Sequence, residues 1–274
     1  MLGAIIGDIV GSIYEFNNIK SKDFPFFSRR CEYTDDSILT IATADWILHG
    51  GFEAKEDISQ FYYRYATKYP SPLGSYGSMF IQWVNKVRHG IVKPYNSCGN
   101  GSAMRVAPVG WAYTSIEDTL NNAKISTSCT HNHPEGIKGA QATAACIFWA
   151  RQGKSKDEIR KEIEHVFGYD LSMSVDDIRP RYSWEGLDGI GNGGICQDSV
   201  PQAIICALDA NDFEDAIRNA ISIGGDSDTI GCITGSIAEA FFGIPDNIRD
   251  KGMGFLPSEL KTIVDEFEQK YGCR

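Results

Sequence analysis

The sequence predicts an all-α protein, because apolar residues recur at helical spacing along most of its length. Residues three and four positions apart lie on one face of a helix. Alternating, strand-like runs are few, and glycines interrupt the chain where helices would end. The apolar positions that carry the helical rhythm are Ile38, Ile41, Ala44 and Leu48; Phe213, Ala216, Ile217, Ala220 and Ile221; Ile230, Ile233, Ile237 and Phe241; and Leu260, Ile263, Val264, Phe267 and Tyr271.

The first predicted element is a buried helix from Leu2 to Val10. Its apolar run lacks a basic flank and is interrupted by Asp8, which distinguishes it from a signal peptide. A later helix should begin at His133-Pro134-Glu135, since proline and acidic residues are favoured in a first helical turn. Helix ends are predicted at Gly50-Gly51, Gly153, Gly224-Gly225 and Gly243-Ile244-Pro245.

Small residues mark helix faces that can approach one another closely. Gly231 and Gly235 lie on one such face, and Gly139, Ala140, Ala144 and Ala145 lie on another. The chain contains no low-complexity segment and no linker rich in proline or serine. We therefore expect a single domain over residues 1–274.

Composition excludes several classes of protein. The formal net charge of -10 argues against a duplex nucleic-acid binder, because such proteins usually carry a basic face. No apolar stretch approaches the length of a membrane span. The eight cysteines, at positions 31, 98, 129, 146, 196, 206, 232 and 273, are irregularly spaced and form no C-x-x-C pair. That pattern indicates reduced thiols, and we expect a soluble, cytoplasmic protein.

Two short polar clusters give the strongest indication of chemistry. Thr34-Asp35-Asp36 and Asp226-Ser227-Asp228-Thr229 each precede an apolar helical stretch. Together they offer an all-oxygen set of ligands suited to Mg²⁺, Mn²⁺ or Ca²⁺. Either cluster alone could be a helix N-cap. Their matching chemistry favours one shared metal site, because converging carboxylates repel unless a cation lies between them.

Two further carboxylates, Asp8 and Glu15, lie seven residues apart in the N-terminal segment. On a continuous helix they would share one side, within an otherwise apolar stripe. A carboxylate there needs a partner, a metal or a raised pKa. For Asp8 a capping or helix-crossing hydrogen bond is favoured. Glu15 precedes Asn17-Asn18, where the helix should break, and is better placed to face a cleft.

The loop from Ser97 to Arg105 could bind an anion through backbone amides, although a tight turn is equally compatible with its glycines. The segment Gly189 to Gly194 spells G-x-G-x-x-G, but no apolar strand precedes it. We therefore reject a dinucleotide fingerprint there and expect a flexible loop beside the substrate. His131 and His133 have no partner ligands at zinc spacing. Tyr76, in the turn Gly74 to Ser78, is available either for ligand contact or for the core.

Five motifs of the chain, and the order in which they occur, resemble those of the ADP-ribosylglycohydrolase family. The motifs are Gly7-Asp8-x-x-Gly11-x-x-x-Glu15, Thr34-Asp35-Asp36, Gly99-Asn100-Gly101-Ser102-Ala103-Met104-Arg105, Thr130-His131, and Gly224-Gly225-Asp226-Ser227-Asp228-Thr229. Each motif is modest alone, but the ordered set is specific and covers the chain from Gly3 to about Pro245.

The resemblance implies a compact, orthogonal all-α bundle with two Mg²⁺ or Mn²⁺ ions at the base of a cleft. It implies an enzyme that hydrolyses the N- or O-glycosidic bond between ADP-ribose and a protein side chain or small acceptor. The implied metal ligands are Thr34, Asp35, Asp36, Asp226, Asp228 and Thr229. The implied substrate-binding residues are Gly74, Tyr76, Gly77, Ser97, Cys98, Gly99, Asn100, Gly101 and His131. Cys98 stands where some relatives have an aromatic residue.

Glu15, Asp35 and Asp36 are the candidates for water activation or proton transfer, and the sequence does not rank them. Two other functions stay open. A non-catalytic ADP-ribose-binding or crystallin-like relative would keep the fold, although none of the six implied ligands is lost here. A phosphohydrolase could instead cleave the pyrophosphate with the same ions.

Overall fold

A computed structural model describes residues 1–272, and it confirms the all-α prediction. Over that range there are fifteen α-helices, a 3₁₀ turn at Gly51–Glu53 and one short hairpin. The helices are α1 Leu2–Gly11, α2 Asp35–Leu48, α3 Ile58–Lys68, α4 Ser78–Arg88, α5 Gly101–Met104, α6 Ala107–Ala112, α7 Ile116–Ser128, α8 Pro134–Arg151, α9 Lys156–Phe167, α10 Val175–Ile178, α11 Cys196–Leu208, α12 Phe213–Ile223, α13 Ser227–Phe242, α14 Asp246–Gly254 and α15 Ser258–Tyr271.

The hairpin pairs β1 (Tyr182–Ser183) antiparallel with β2 (Gly186–Leu187). Cys273 and Arg274 lie outside the described residues, so the thiol prediction at Cys273 and the last two residues of the predicted 1–274 domain are not covered. The other seven cysteines are free thiols. Within residues 1–272 no helix has the length and apolar character needed to cross a membrane.

The helix α13 lies at the centre of the packing. It contacts α1, α8, α11 and α12, and its residues 227–239 are all buried. The helix α1 is also buried along its whole length, as its apolar sequence predicts. Because both helices are enclosed, polar groups on their facing surfaces must find partners inside the protein.

Glycines bring α1 and α13 into backbone contact. A methyl group on Gly7 would lie only 1.9 Å from the carbonyl oxygen of Gly231, and one on Gly3 would lie 2.2 Å from that of Gly235. At the end of α1, a methyl group on Gly11 would lie 2.5 Å from the Cα atom of Asp228. The predicted close approach through Gly231 and Gly235 is therefore confirmed, and it brings the end of α1 to the start of α13.

The predicted helix ends are confirmed: α2, α8, α12 and α13 all stop at or just before the glycines named above. The start of α8 is also confirmed, since the His133 ring nitrogen accepts a hydrogen bond from the amide of Glu135.

The expectation that Asp8 and Glu15 share a continuous helix is wrong, because α1 ends at Gly11. Beyond it, the side-chain amide of Asn18 donates to the carbonyl oxygens of Tyr14 and Glu15, at 2.8 and 3.1 Å. These bonds replace the helical partners of the two carbonyl groups, so the chain turns away from the helix axis.

Candidate functional site

The two acidic clusters, far apart in the sequence, meet at the starts of α2 and α13. The hydroxyl of Thr229 donates a hydrogen bond to Asp36 Oδ2 at 3.3 Å, across 193 positions of chain. The N-cap interpretation holds for Thr34, whose hydroxyl accepts from the amide of Asp36 at 3.2 Å. It does not hold for the side chain of Asp226, which makes no capping bond.

The carboxylates form two groups of three that share Asp228. Oxygen atoms of Asp8, Asp36 and Asp228 lie within 4.8 Å of one another, and so do those of Glu15, Asp226 and Asp228. Asp35 belongs to neither group, although it borders the same cleft. Two oxygen-rich groups with one common residue have the geometry in which two neighbouring cations could be held.

Burial and mutual repulsion raise the pKa values of these acids. Desolvation is the largest cause for each, and the charge of Asp228 is the next for both Asp35 and Asp36. The pKa of Asp228 is raised first by burial and next by the charge of Asp226. Burial raises the pKa of Asp226 to about 6, although hydrogen bonds from Asp228 and Asn100 offset part of this effect. The cluster therefore holds its full negative charge only at a cost that a cation would offset.

Asp36 supplies a specific test of whether a metal fits. Its Oδ1 atom is buried and has no hydrogen-bond partner within the described chain. A buried, unpaired carboxylate oxygen is costly unless another group meets it. The available donor set is entirely oxygen, which suits Mg²⁺ or Mn²⁺ and not zinc. The residues present therefore fit a hard divalent cation.

Asp8 makes the helix-crossing hydrogen bonds that its sequence position predicts. One oxygen accepts from the Thr34 hydroxyl at 2.7 Å, and the other accepts from the Thr34 amide at 2.9 Å and the Ser37 amide at 3.1 Å. The Ser37 hydroxyl also donates to it. Burial still raises the pKa of Asp8 to about 6 against these four bonds. Asp8 thus fixes the first turn of α2 to α1.

Glu15 lies in the turn after α1 and reaches the second carboxylate group. The Trp184 indole donates to the main-chain oxygen of Glu15 at 2.9 Å, and Asn18 ties the same turn to the carbonyl oxygen of Gly225 at 2.9 Å. Burial, followed by the charges of Asp228 and Asp8, raises the pKa of Glu15 to about 8. A carboxyl group with that pKa can hold or release a proton near neutral pH.

An open cleft of about 380 Å³ lies above the carboxylates. The loop before α5 forms its far wall, and Asn100 links the two sides by donating to Asp226 Oδ2 at 2.7 Å. The predicted site residues that line this cleft are Glu15, Asp35, Asp36, Gly74, Tyr76, Gly77, Ser97, Gly99, Asn100, Gly101, His131, Asp226, Asp228 and Thr229. Sequence reasoning therefore identified most of the cleft lining.

Two predicted residues do not line the cleft. Thr34 is fully buried beneath it, and Cys98 is half-buried, with its carbonyl oxygen accepting from the amide of Cys196 at 2.9 Å. Tyr76 combines a position at the cleft with packing in the core. It borders the cleft, while its hydroxyl donates to the Tyr69 carbonyl oxygen at 2.8 Å and its ring packs on Phe80.

The anion-binding interpretation of the Ser97 loop is limited by its own hydrogen bonds. The Gly99 amide donates to Ser97 Oγ, and the Asn100 amide donates to the Gly194 carbonyl oxygen, both at 3.0 Å. The Gly99 bond closes a local turn, and the Asn100 bond ties the loop to the segment before α11. The short helix α5 starts at Gly101, and the amides of Ala103 and Met104 both donate to the Asn100 carbonyl oxygen, at 2.8 and 3.0 Å.

Sequence reasoning gave no functional role to Tyr95 or Arg105, which also line the cleft; Gly194 lines it as well, at the end of the loop expected beside the substrate. Arg105 belongs to the motif from Gly99 to Arg105, but its burial depends on the tertiary structure and could not be predicted from that motif. Gly194 belongs to the rejected G-x-G-x-x-G segment. The rejection is consistent with the structure, since only the two-residue strand β2 precedes that segment.

The chain matches the family model described as ADP-ribosylglycohydrolase over residues 1–272. It is similar to ADP-ribosylhydrolase ARH3 of Mus musculus, at 28% identity over 330 residues, covering 95% of this chain and 88% of the relative. It is also similar to ADP-ribosylarginine hydrolase Tri1 of Pseudomonas putida (strain GB-1), at 26% identity over 287 residues, covering 89% of this chain and 70% of the relative.

A solved structure, described as an ADP-ribosylglycohydrolase-related protein complex, has the same fold. The TM-score is 0.69 at 23% identity, covering 98% of this chain and 97% of that chain.

Proposed function

Because this chain belongs to the ADP-ribosylglycohydrolase family, we propose that it hydrolyses the glycosidic bond between ADP-ribose and an acceptor, releasing ADP-ribose. The observation that carries the proposal is the pair of carboxylate groups sharing Asp228 at the base of one cleft. The names of similar proteins support the substrate class: ARH3 is an ADP-ribosylhydrolase and Tri1 an ADP-ribosylarginine hydrolase. The substrate would be an ADP-ribosylated protein or a small ADP-ribosyl conjugate.

We propose Mg²⁺ or Mn²⁺ as the cofactor, with two ions held between α2 and α13. The proposed ligands are Thr34, Asp35, Asp36, Asp226, Asp228 and Thr229. Thr34 can take part because its hydroxyl oxygen has a second lone pair beyond the one used by the Asp36 amide. Bound cations would lower the pKa of a water molecule and offset negative charge at the base of the cleft.

The chain's own residues would transfer a proton, stabilise positive charge on the sugar and bind the anionic part of the substrate. Glu15, with its pKa raised to about 8, can transfer a proton beside the bond that breaks. Asp35 and Asp36 can stabilise positive charge on the sugar, since cleavage of a glycosidic bond passes through oxocarbenium character. Across the cleft, the loop that begins α5 and His131 would bind the anionic end of the substrate.

Product analysis tests this proposal. The purified protein would be assayed with Mg²⁺ or Mn²⁺ on a panel in which ADP-ribose is joined to arginine, serine, poly(ADP-ribose), acetate or a nucleobase. Free ADP-ribose is the expected product from at least one member. AMP would indicate a phosphohydrolase instead, and binding of ADP-ribose without turnover would indicate a non-catalytic reader. Asp228→Asn, which removes charge from both carboxylate groups, is the inactive control.

A further inference from the structure

Arg105 is a buried cation without a buried anion beside it. Its side chain is 1% exposed, and its guanidinium lies over the ring of Tyr62, 4.1 Å from the centroid. None of the ion pairs among residues 1–272 involves it. Its Nε atom is buried and has no hydrogen-bond partner among those residues. An arginine in this setting is costly, which calls for a role that other side chains could not fill.

The titratable groups around Arg105 do not supply the missing charge. Burial raises the pKa of Tyr62 and of Tyr95 to about 12, and that of Cys129 to about 11. All three therefore stay neutral at physiological pH. Since Arg105 also borders the cleft, the anion it lacks would have to come from a ligand.

Arg105 is joined to His131 directly and through Thr130. Its Nη2 atom donates to the Thr130 hydroxyl at 2.5 Å and lies 3.4 Å from His131 Nδ1. The Thr130 hydroxyl lies 2.8 Å from the same Nδ1 atom. The Thr127 carbonyl oxygen, another possible acceptor, is farther away at 3.3 Å, and the side chains of Tyr95 and Cys129 also contact this hydroxyl.

The chemistry of these groups determines where the imidazole carries its hydrogen. A guanidinium donates but never accepts, so a hydrogen on Nδ1 would face the Arg105 N–H group. The Thr130 oxygen accepts from Arg105, which leaves its own hydrogen free to point at Nδ1. The arrangement that satisfies both contacts therefore has Nδ1 as an acceptor, and a neutral imidazole then carries its single hydrogen on Nε2. Burial, and next the charge of Arg105, hold the pKa of His131 well below its usual value and keep the ring neutral.

The Nε2 atom faces the loop that begins α5. Methyl groups placed on Gly99 and Gly101 would lie 3.5 and 3.3 Å from it, and His131 lines the cleft there. We propose that Arg105 is a positioning residue that acts through Thr130 to fix His131 as an Nε2–H donor aimed at the anionic end of the ligand. This inference rests on the proposed function for the identity of the ligand, but the state of the imidazole can be measured without it.

The test combines a spectroscopic measurement with a binding measurement. Long-range ¹H–¹⁵N spectra of the labelled protein between pH 6 and 8 would assign the His131 ring, using His131→Gln to identify its signals. The expected result is a neutral ring with hydrogen on Nε2 throughout. Thr130→Val should mix the two tautomers and weaken ADP-ribose binding by about tenfold, the usual effect of one hydrogen bond to a charged group. Thr130→Ser, which keeps the hydroxyl, is the matched control and should behave as the unmodified protein.

Arg105→Met should have the same effects as Thr130→Val, and Arg105→Lys, which restores a cationic donor, should recover part of the Nε2–H population. If Arg105→Met does not fold, the Thr130 pair and the unmodified protein still decide the matter. Hydrogen on Nδ1, a charged ring at pH 6, or a tautomer unchanged in Thr130→Val would overturn the inference. Failure of the proposed function looks different: ADP-ribose would not be released from any conjugate, whether or not it binds, while the tautomer could still be measured.

Discussion

The contact between α1 and α13 predicts that Gly7→Ala damages both the fold and the proposed metal site. The added methyl group would lie 1.9 Å from the Gly231 carbonyl oxygen and 2.3 Å from its carbonyl carbon. These are backbone atoms and cannot rotate away, so the helices must separate by roughly 1 Å or more to reach van der Waals distance. Asp8 and Asp228, on opposite sides of this contact, would move apart with them.

The expected cost follows from two opposing terms. Overpacking a close-packed interior costs about 1–3 kcal/mol, and a clash with fixed backbone belongs at or above the upper end. Replacing glycine by alanine within a helix returns up to about 1 kcal/mol. The net destabilisation is therefore about 2 kcal/mol, which corresponds to a fall in Tm of about 4–8 °C for a chain of this size.

Urea unfolding and Mn²⁺ calorimetry on the same preparation would measure both effects. Gly254→Ala is the matched control, because its methyl group would meet nothing within 4 Å and should leave stability unchanged or raised. Gly235→Ala, in the same interface but roughly two helical turns from Asp228, should lower stability with a smaller loss of metal affinity. A Gly7→Ala protein with normal stability and normal Mn²⁺ affinity would refute the reasoning.

Three further outcomes follow from the carboxylate groups. Glu15→Gln should keep the fold and lower the release of ADP-ribose by roughly 10²–10⁴-fold, the range typical of lost acid–base catalysis; normal turnover with a lowered Tm would make Glu15 purely structural. Asp228→Asn should weaken Mn²⁺ binding more than Asp35→Asn, because Asp228 belongs to both groups and Asp35 to neither; equal affinities by calorimetry would contradict two sites with a shared ligand. Without metal, the protein should lose stability as the pH rises. The pKa of Glu15 is raised from 4.5 to about 8, so its contribution is full below pH 4.5 and is lost as the pH passes 8. Thermal scans in EDTA from pH 5 to 9 should show a falling Tm, and added Mg²⁺ should stabilise most at the alkaline end; a Tm that rises across this range in EDTA would contradict the raised pKa.

Much of the fold was predictable because helix boundaries are local. A glycine such as Gly243 ends α13 through its own backbone conformation, and Pro134 starts α8 in the same local way. The acidic clusters were recognisable for a similar reason, since Asp35-Asp36 and Asp226-Ser227-Asp228 are short patterns with obvious chemistry. Their meeting could be inferred only from the match between them.

The features that the sequence left undetermined depend on distant contacts. The turn that follows α1 is held by Asn18, whose side chain bonds to the main chain of Tyr14 and Glu15 and to Gly225, 207 positions away. Whether Arg105 has an anionic partner depends on which side chains surround it in the fold, and a sequence motif does not carry that information. Glu15 was expected to face a cleft and does border one, but it reaches the cleft from a turn and not from a helix.

The segment between β1 and α11 touches both ends of the cleft. Trp184 donates to the main chain of Glu15, and Gly194 accepts from the amide of Asn100. Outside these anchors Ile190 is 81% exposed, and Trp184 stacks on Phe16 of the turn after α1, which is 71% exposed. Under the proposed function, we expect substitutions at these exposed positions to change which acceptors fit while every carboxylate stays in place. Acceptor selectivity and the proposed bond cleavage would then be separable in this fold.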